Sequence, residues 1–172
     1  GAVKHPPAAE GACLDCHDPH GSSRAALLKT GERALCTACH EEGPFRRQVT
    51  HKPVQEGHCS ACHDPHGSGQ PALLKQAPAA LCLSCHQPLA QAATAATTRH
   101  APFVKQPCTV CHDPHGGDDS DLLKQAAGSL CLGCHASVRL EIVQEGNLDL
   151  LADDPAECVL QPNAVARDAQ TL

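Results

Sequence analysis

Thirteen cysteines and thirteen histidines stand in a chain of 172 residues, and their spacing is too regular to be scaffolding. Twelve of the cysteines fall into six Cys-x-x-Cys-His units: Cys13, Cys16 and His17; Cys36, Cys39 and His40; Cys59, Cys62 and His63; Cys82, Cys85 and His86; Cys108, Cys111 and His112; Cys131, Cys134 and His135. Two thiols three positions apart can each add to a porphyrin vinyl group, and the histidine that follows is then placed beneath the iron. A single unit would leave zinc or thiol redox chemistry open, but six with His always fifth argue against both. The sequence therefore predicts six covalently attached haem c groups, with these twelve cysteines as thioether anchors and the six histidines as proximal iron ligands.

The opposite face of each iron needs its own ligand. The chain contains no Met, so the His/Met ligation that raises many c-type potentials is closed to it. Seven histidines remain, and six recur in register: His5, His51 and His100 in His-x-Pro segments, and His20, His66 and His115 in Asp-Pro-His segments. Six irons and six recurring histidines predict bis-His, low-spin, low-potential haems. A histidine three residues beyond the proximal one cannot reach the far face of the same haem, and proline stiffens the turn so that it points away. His20, His66 and His115 are thus expected to ligate neighbouring haems, with His66 serving the next one. His58 lies outside the pattern and reads as a surface or propionate-contacting residue.

The elements that must position these groups form a repeat. Units of 46 to 49 residues open on His-x-Pro, reach the first cysteine eight residues later, pass Leu-Leu-Lys at Leu27, Leu73 and Leu122, and close on Leu-Cys-x-x-Cys-His. The expected organisation is three dihaem repeats over residues 1–50, 51–99 and 100–135, with a haem-free arm over 136–172. Short helices are predicted at Ala34 to Glu41, Ala79 to His86 and Ser129 to His135, and a longer one at Pro88 to Thr98. The fold class is mainly irregular with short α-helices, cored by haem, with negligible β structure.

Composition agrees with a cofactor core. Phe45 and Phe103 are the only aromatics of the Phe, Trp and Tyr class, and six haems leave about 29 residues each, too few for a conventional interior. The formal charge of −6, before propionates are added, excludes nucleic acid as a natural partner. No apolar run reaches the length of a bilayer span, and the start at Gly1 reads as a mature form whose signal peptide has been removed. Gly116 to Asp121 offers oxygens that calcium takes, but reads instead as a solvated loop leading to a helix. Arg46 and Arg47 are candidates to pair with propionates, and the unpaired Cys158 reads as a buried thiol in a packing arm.

At Cys13 to Gly21, Cys59 to Gly67 and Cys108 to Gly116 the chain resembles the multihaem c-type cytochromes with a doubled Cys-x-x-Cys-His motif, whose hallmark is Cys-x-x-Cys-His-x-Pro-His. The likeness spans about residues 5 to 135. It implies electron transfer across or outside the cell envelope, with other redox cytochromes or extracellular acceptors as partners, and similarity to subunits of extracellular cytochrome nanowires. A soluble periplasmic shuttle is the alternative, and a reductase with an open haem is the enzyme alternative; the supply of histidines favours a carrier over an enzyme. If each opening histidine serves the preceding unit, His5 is left to ligate a haem of a neighbouring subunit, and head-to-tail assembly follows. If it serves its own unit, that reason for assembly disappears.

Overall fold

The computed structural model of the chain describes residues 2–136, so Cys158 and nearly all of the expected arm lie outside the described residues. Two compact units divide the chain, Gly1–Leu122 and Leu123–Leu172.

In the first unit each attachment signature is one helical turn. α2, Cys13–Cys16, and the 3-10 turns Cys59–Ala61 and Cys108–Val110 carry the first site of each repeat. The N–H groups of His17, His63 and His112 donate to the carbonyls of Cys13, Cys59 and Cys108 at 3.0, 3.1 and 3.0 Å. The second sites ride on longer helices, α3 at Glu32–Thr37 and α5 at Pro78–Cys85. The expected Ala-rich helix is α6, Gln87–Ala95, shorter than predicted because Thr97 and Thr98 follow an extended Ala96. In the second unit α8, Ala127–Cys134, holds the last site, and His135 donates to the Cys131 carbonyl at 2.9 Å.

The His-x-Pro motif is a helix start. α1 (Pro6–Ala9), α4 (Lys52–Gln55) and α7 (Ala101–Lys105) each carry proline in their first turn, where its missing N–H costs nothing. His5, His51 and His100 sit immediately before them at the N-cap, and none spends its side chain on capping.

Sheet is sparse, as expected, yet it joins the repeats. β1 (Val3–Lys4) pairs antiparallel with β3 (Gly67–Ser68), Val3 opposite Ser68 and Lys4 opposite Gly67. β2 (Val49–Thr50) pairs with β4 (Gly116–Gly117) in the same register, Val49 opposite Gly117 and Thr50 opposite Gly116. The two residues before an opening histidine therefore lie on the two residues after the Asp-Pro-His of the following repeat. Glycine is required at that contact: a Cβ on Gly67, whose φ is +149°, would lie 2.9 Å from the Val3 carbonyl oxygen, and one on Gly116 would lie 2.7 Å from that of Val49.

A second tie crosses from the first repeat to the next. Glu32, at the start of α3, accepts from the Ser60 hydroxyl at 2.6 Å and the Ser60 N–H at 2.8 Å. Burial works to raise this carboxyl, but the Ser60 hydrogen bonds and the charges of His58 and Lys75 together hold it below its ordinary value. No apolar side chain is buried among the described residues, and Leu14 and Leu27 beside the first site are exposed. Polar ties and short backbone pairings are what the polypeptide itself contributes between these repeats.

A depressed carboxyl stabilises the fold above its unfolded value near ~4.3 and loses that contribution as pH falls through the folded value. Glu32→Gln in the haem-loaded protein should therefore cost about 1 kcal/mol at pH 7, after allowance for partial exposure, and progressively less as the pH falls through the carboxyl's folded value. Guanidinium titrations over a series of decreasing pH values check this, and a loss independent of pH contradicts it.

Candidate metal-binding histidine pairs

Four pairs of imidazoles face one another in the first unit. His17 and His66 have ring centroids 5.9 Å apart and planes inclined by 18°; His63 and His115 are 6.1 Å apart at 19°. His5 and His40 are 5.9 Å apart at 17°, and His51 and His86 are 6.1 Å apart at 21°. Each pair joins a histidine of an attachment turn to one of the additional histidines. Two imidazoles ligating one metal from opposite sides, with each nitrogen about 2.0 Å away and each ring centre about 1.1 Å beyond, place their centroids about 6 Å apart. Aromatic contact alone tolerates a range of roughly 4.5–7 Å. One spacing repeated four times, each time beside a Cys-x-x-Cys turn, fits an iron held between two imidazoles.

The pairs follow two rules. His40 and His86, which close a repeat, face the histidine that opens the same repeat. His17 and His63, at first sites, face the Asp-Pro-His histidine of the following repeat. Of the two alternatives for the opening histidine, the geometry has the one within the repeat: His5 and His51 face the attachment histidine that closes their own unit. One expectation differs: His66 faces not the next attachment histidine but His17, at the first site of the repeat before, because β3 pairs with β1.

The other ring nitrogen is tied down as well. The Nδ1 atoms of His17, His63 and His112 lie 2.7, 2.8 and 2.7 Å from the carbonyl oxygens of Ala26, Ala72 and Asp121. Those of His5 and His51 lie 3.0 Å from the carbonyls of Pro65 and Pro114. A carbonyl can only accept, so each Nδ1 donates and each Nε2 presents a lone pair for a metal. This outer hydrogen bond fixes the tautomer and raises ligand basicity. Since His66 and His115 follow Pro65 and Pro114 directly, one short peptide orients ligands of two different sites.

The Leu-Leu-Lys segment makes the acceptor carbonyls available. Ala26 and Leu27, Ala72 and Leu73, and Leu122 all have φ between 52° and 57°, a left-handed conformation that side chains rarely adopt. The turn is held by Asp18, Asp64 and Asp113, whose N–H groups donate to the carbonyls of Leu27, Leu73 and Leu122 at 2.8 Å. The sequence pattern marked this segment without revealing its role; its signal was conformational cost, which letters alone do not display.

Phe45 was the other unrecognised participant. Its ring meets that of His115 edge-on, with centroids 5.2 Å apart and planes at 90°. Arg33 fixes Phe45 by donating to its carbonyl at 3.2 Å, and also lies 3.7 Å from Glu42. Burial keeps His115 below the ordinary imidazole value; Asp113 opposes this, while His63 and His51 add to it. Burial thus favours the neutral ring, the form that ligates.

The anchoring cysteines of successive sites are near enough to affect one another. Burial and the adjacent Cys59 push the Cys36 thiol up to about 12, with Cys16 adding to the effect. Burial and Cys85 raise Cys62, and burial and Cys108 raise Cys82.

The remaining predicted residues fall elsewhere. His58 lies 3.4 Å from Glu56 and faces no histidine. Arg46 is 2.5 Å from Glu42 and Arg47 is 3.9 Å from Asp118. Among the described residues no cluster of three or more His, Cys, Asp or Glu is arranged for a metal ion, and in the loop once considered for calcium Asp119 accepts from the Asp121 N–H at 3.0 Å. His20 and His112 face no second imidazole among the described residues.

Comparison with known families gives one match repeated three times: the Doubled CXXCH motif, over residues 5–45, 51–91 and 100–140, more than half of the chain. Each match begins on an opening histidine, so the two same-repeat pairs fall inside single matches. No individual curated protein matches the chain.

His66→Ala in the haem-loaded protein should convert one haem, that on Cys13 and Cys16, from low to high spin, whereas His58→Ala should leave every haem unchanged. Electron paramagnetic resonance of the oxidised proteins checks both. A low-spin spectrum retained in His66→Ala contradicts the assigned pair.

Proposed function

This chain belongs to the doubled CXXCH motif family, and we propose that it is a hexahaem c-type cytochrome that passes electrons along bis-His haems as a subunit of an extracellular filament. The four imidazole pairs of equal spacing support the bis-His electron-transfer part of this reading, and the filament part extends the likeness of the motifs. Haem c, when bound, supplies a one-electron iron couple. The chain's own residues then set the conditions for transfer. The paired imidazoles would hold the iron, and the carbonyls of Ala26, Ala72, Pro65 and Pro114 orient the rings and make them strong donors, which would favour the oxidised state and a low potential. A fixed ligand set changes little between redox states. Such a site suits electron transfer better than substrate conversion.

The twelve cysteines of the six motifs support six haems, and the sequence register extends the candidate ligands beyond the four pairs. His100 stands 35 residues before His135, the same offset as His5 from His40 and His51 from His86. Covalent attachment of this kind takes place outside the cytoplasmic membrane, so an extracytoplasmic site of action follows, and no helix among the described residues is long and apolar enough to cross a membrane.

A periplasmic shuttle is the second reading, favoured by one observation: His5 faces His40 of its own chain, so the opening histidine supplies no link between subunits. Electron microscopy of the native preparation separates the two readings, with filaments expected and uniformly monomeric particles supporting the shuttle.

The ligand set has a measurable consequence. Replacing His51 with Met should raise a single potential by on the order of 0.1 V, a fraction of the roughly 0.8 V that axial ligation spans, and leave the other potentials nearly fixed. Spectroelectrochemical titration checks this; a uniform shift of all potentials, or none, contradicts the assignment of His51.

A further inference from the structure

Two of the candidate iron sites are built alike. His17 with His66 and His63 with His115 share spacing and inclination, 5.9 Å and 18° against 6.1 Å and 19°. The Nδ1 atoms of His17 and His63 lie 2.7 and 2.8 Å from a backbone carbonyl. His66 and His115 each donate a backbone N–H at 3.0 Å to the carboxylate two residues before, Asp64 or Asp113, and each Nδ1 stands 3.8 Å from that same carboxylate. These hydrogen bonds and this charge are matched at the two sites and cannot tell them apart.

The cover over the two sites is not matched. The side chain of His66 is 71% exposed and that of His115 only 35%. His17 is the one ring beside His66 among the described residues, whereas Phe45 stands edge-on to His115, 5.2 Å away and at 90°. The chain's other phenylalanine, Phe103, lies exposed on α7. Phe45 is held against His115 from several directions. It ends the 3-10 turn Gly43–Phe45, in which its N–H donates to the Glu42 carbonyl at 2.9 Å. Its own carbonyl accepts from Arg33, which also donates to the Val54 carbonyl at 3.4 Å, and Arg46 pairs with Glu42 where the turn begins. Arg33 is itself confined, since a Cβ on Gly57 would lie 3.2 Å from the Arg33 Cβ.

Ferric haem carries one positive charge more than ferrous haem, and apolar cover in place of water favours the less charged form. We infer, on the bis-His electron-carrier reading above, that Phe45 is a positioning residue for the site on Cys59 and Cys62: by holding His115 out of water it sets the potential there above that of the site on Cys13 and Cys16. An electron shared between these two sites therefore rests on the Cys59 and Cys62 iron, which is reduced by one electron as the other is oxidised, with no proton or bond exchanged. The ordering depends on one ring from the first repeat, placed on a histidine of the third that faces a site of the second.

The test uses spectroelectrochemical titration of haem-loaded wild type, His66→Met, His115→Met, Phe45→Gln and Phe45→Leu. A methionine ligand raises the potential of the haem it holds, so the two Met variants mark which wild-type potential belongs to each site. The one marked by His115→Met should be the higher. Phe45→Gln, which brings in the residue found at the same offset from the opening histidine of the second repeat, Gln91, should lower that potential alone. Phe45→Leu, which keeps apolar cover, should lower it by less, and electron paramagnetic resonance should show every haem of both Phe45 variants low-spin. The reverse order in wild type, a marked potential unmoved by Phe45→Gln, or all potentials shifting together would overturn the inference and leave bis-His ligation standing. If neither Met variant moves a potential, the assigned ligation fails and the inference fails with it.

Discussion

A backbone contact two residues long holds the described chain in register. Where Val3–Lys4 lie on Gly67–Ser68, and Val49–Thr50 on Gly116–Gly117, two adjacent histidine-bearing segments are brought together, and everything about the ligands follows from that. The opening histidine is turned so that its Nδ1 meets the carbonyl preceding the Asp-Pro-His histidine, and the latter is carried back toward the repeat before. No apolar side chain is buried by the polypeptide alone among the described residues, which agrees with the cofactor core that the composition predicts. Glycine at the strand edge is the condition, since any side chain would meet the opposing carbonyl.

The contact also couples the two candidate sites of a repeat. One peptide, Pro65-His66 or Pro114-His115, brings a histidine to the first site in the preceding repeat and, through its carbonyl, orients a histidine of that repeat's second site. Two candidate iron sites share one support. A change that loosens the peptide should therefore disturb both sites, whereas a change at an attachment turn remains local. The left-handed turns at Ala26–Leu27 and Ala72–Leu73 store conformational cost for a similar purpose, since they place a carbonyl where the attachment-turn histidine needs an acceptor.

Much of this was legible in the letters. Cys-x-x-Cys-His declared the attachment sites, His-x-Pro proved to be a helix start because proline is tolerated in a first turn, and the absence of Met left histidine as the remaining ligand. What the letters did not contain was direction. Whether His66 points forward or backward depends on which strand lies on Gly67, and a two-residue strand such as Val3-Lys4 carries no periodicity to announce it. The roles of Phe45 and of the Leu-Leu-Lys turn were hidden for related reasons: one acts across two repeats, and the other acts through a backbone carbonyl that every residue possesses.

The central claim is that the ligands pair by two offsets, 35 residues within a repeat and 49 or 52 residues between repeats. An experimental density map of the haem-loaded protein, sharp enough to trace both axial ligands of each iron, tests it most directly. The account predicts His5 with His40, His17 with His66, His51 with His86 and His63 with His115. An iron on Cys13 and Cys16 ligated by any residue other than His66, or His5 bound to a haem outside its own chain, would contradict it.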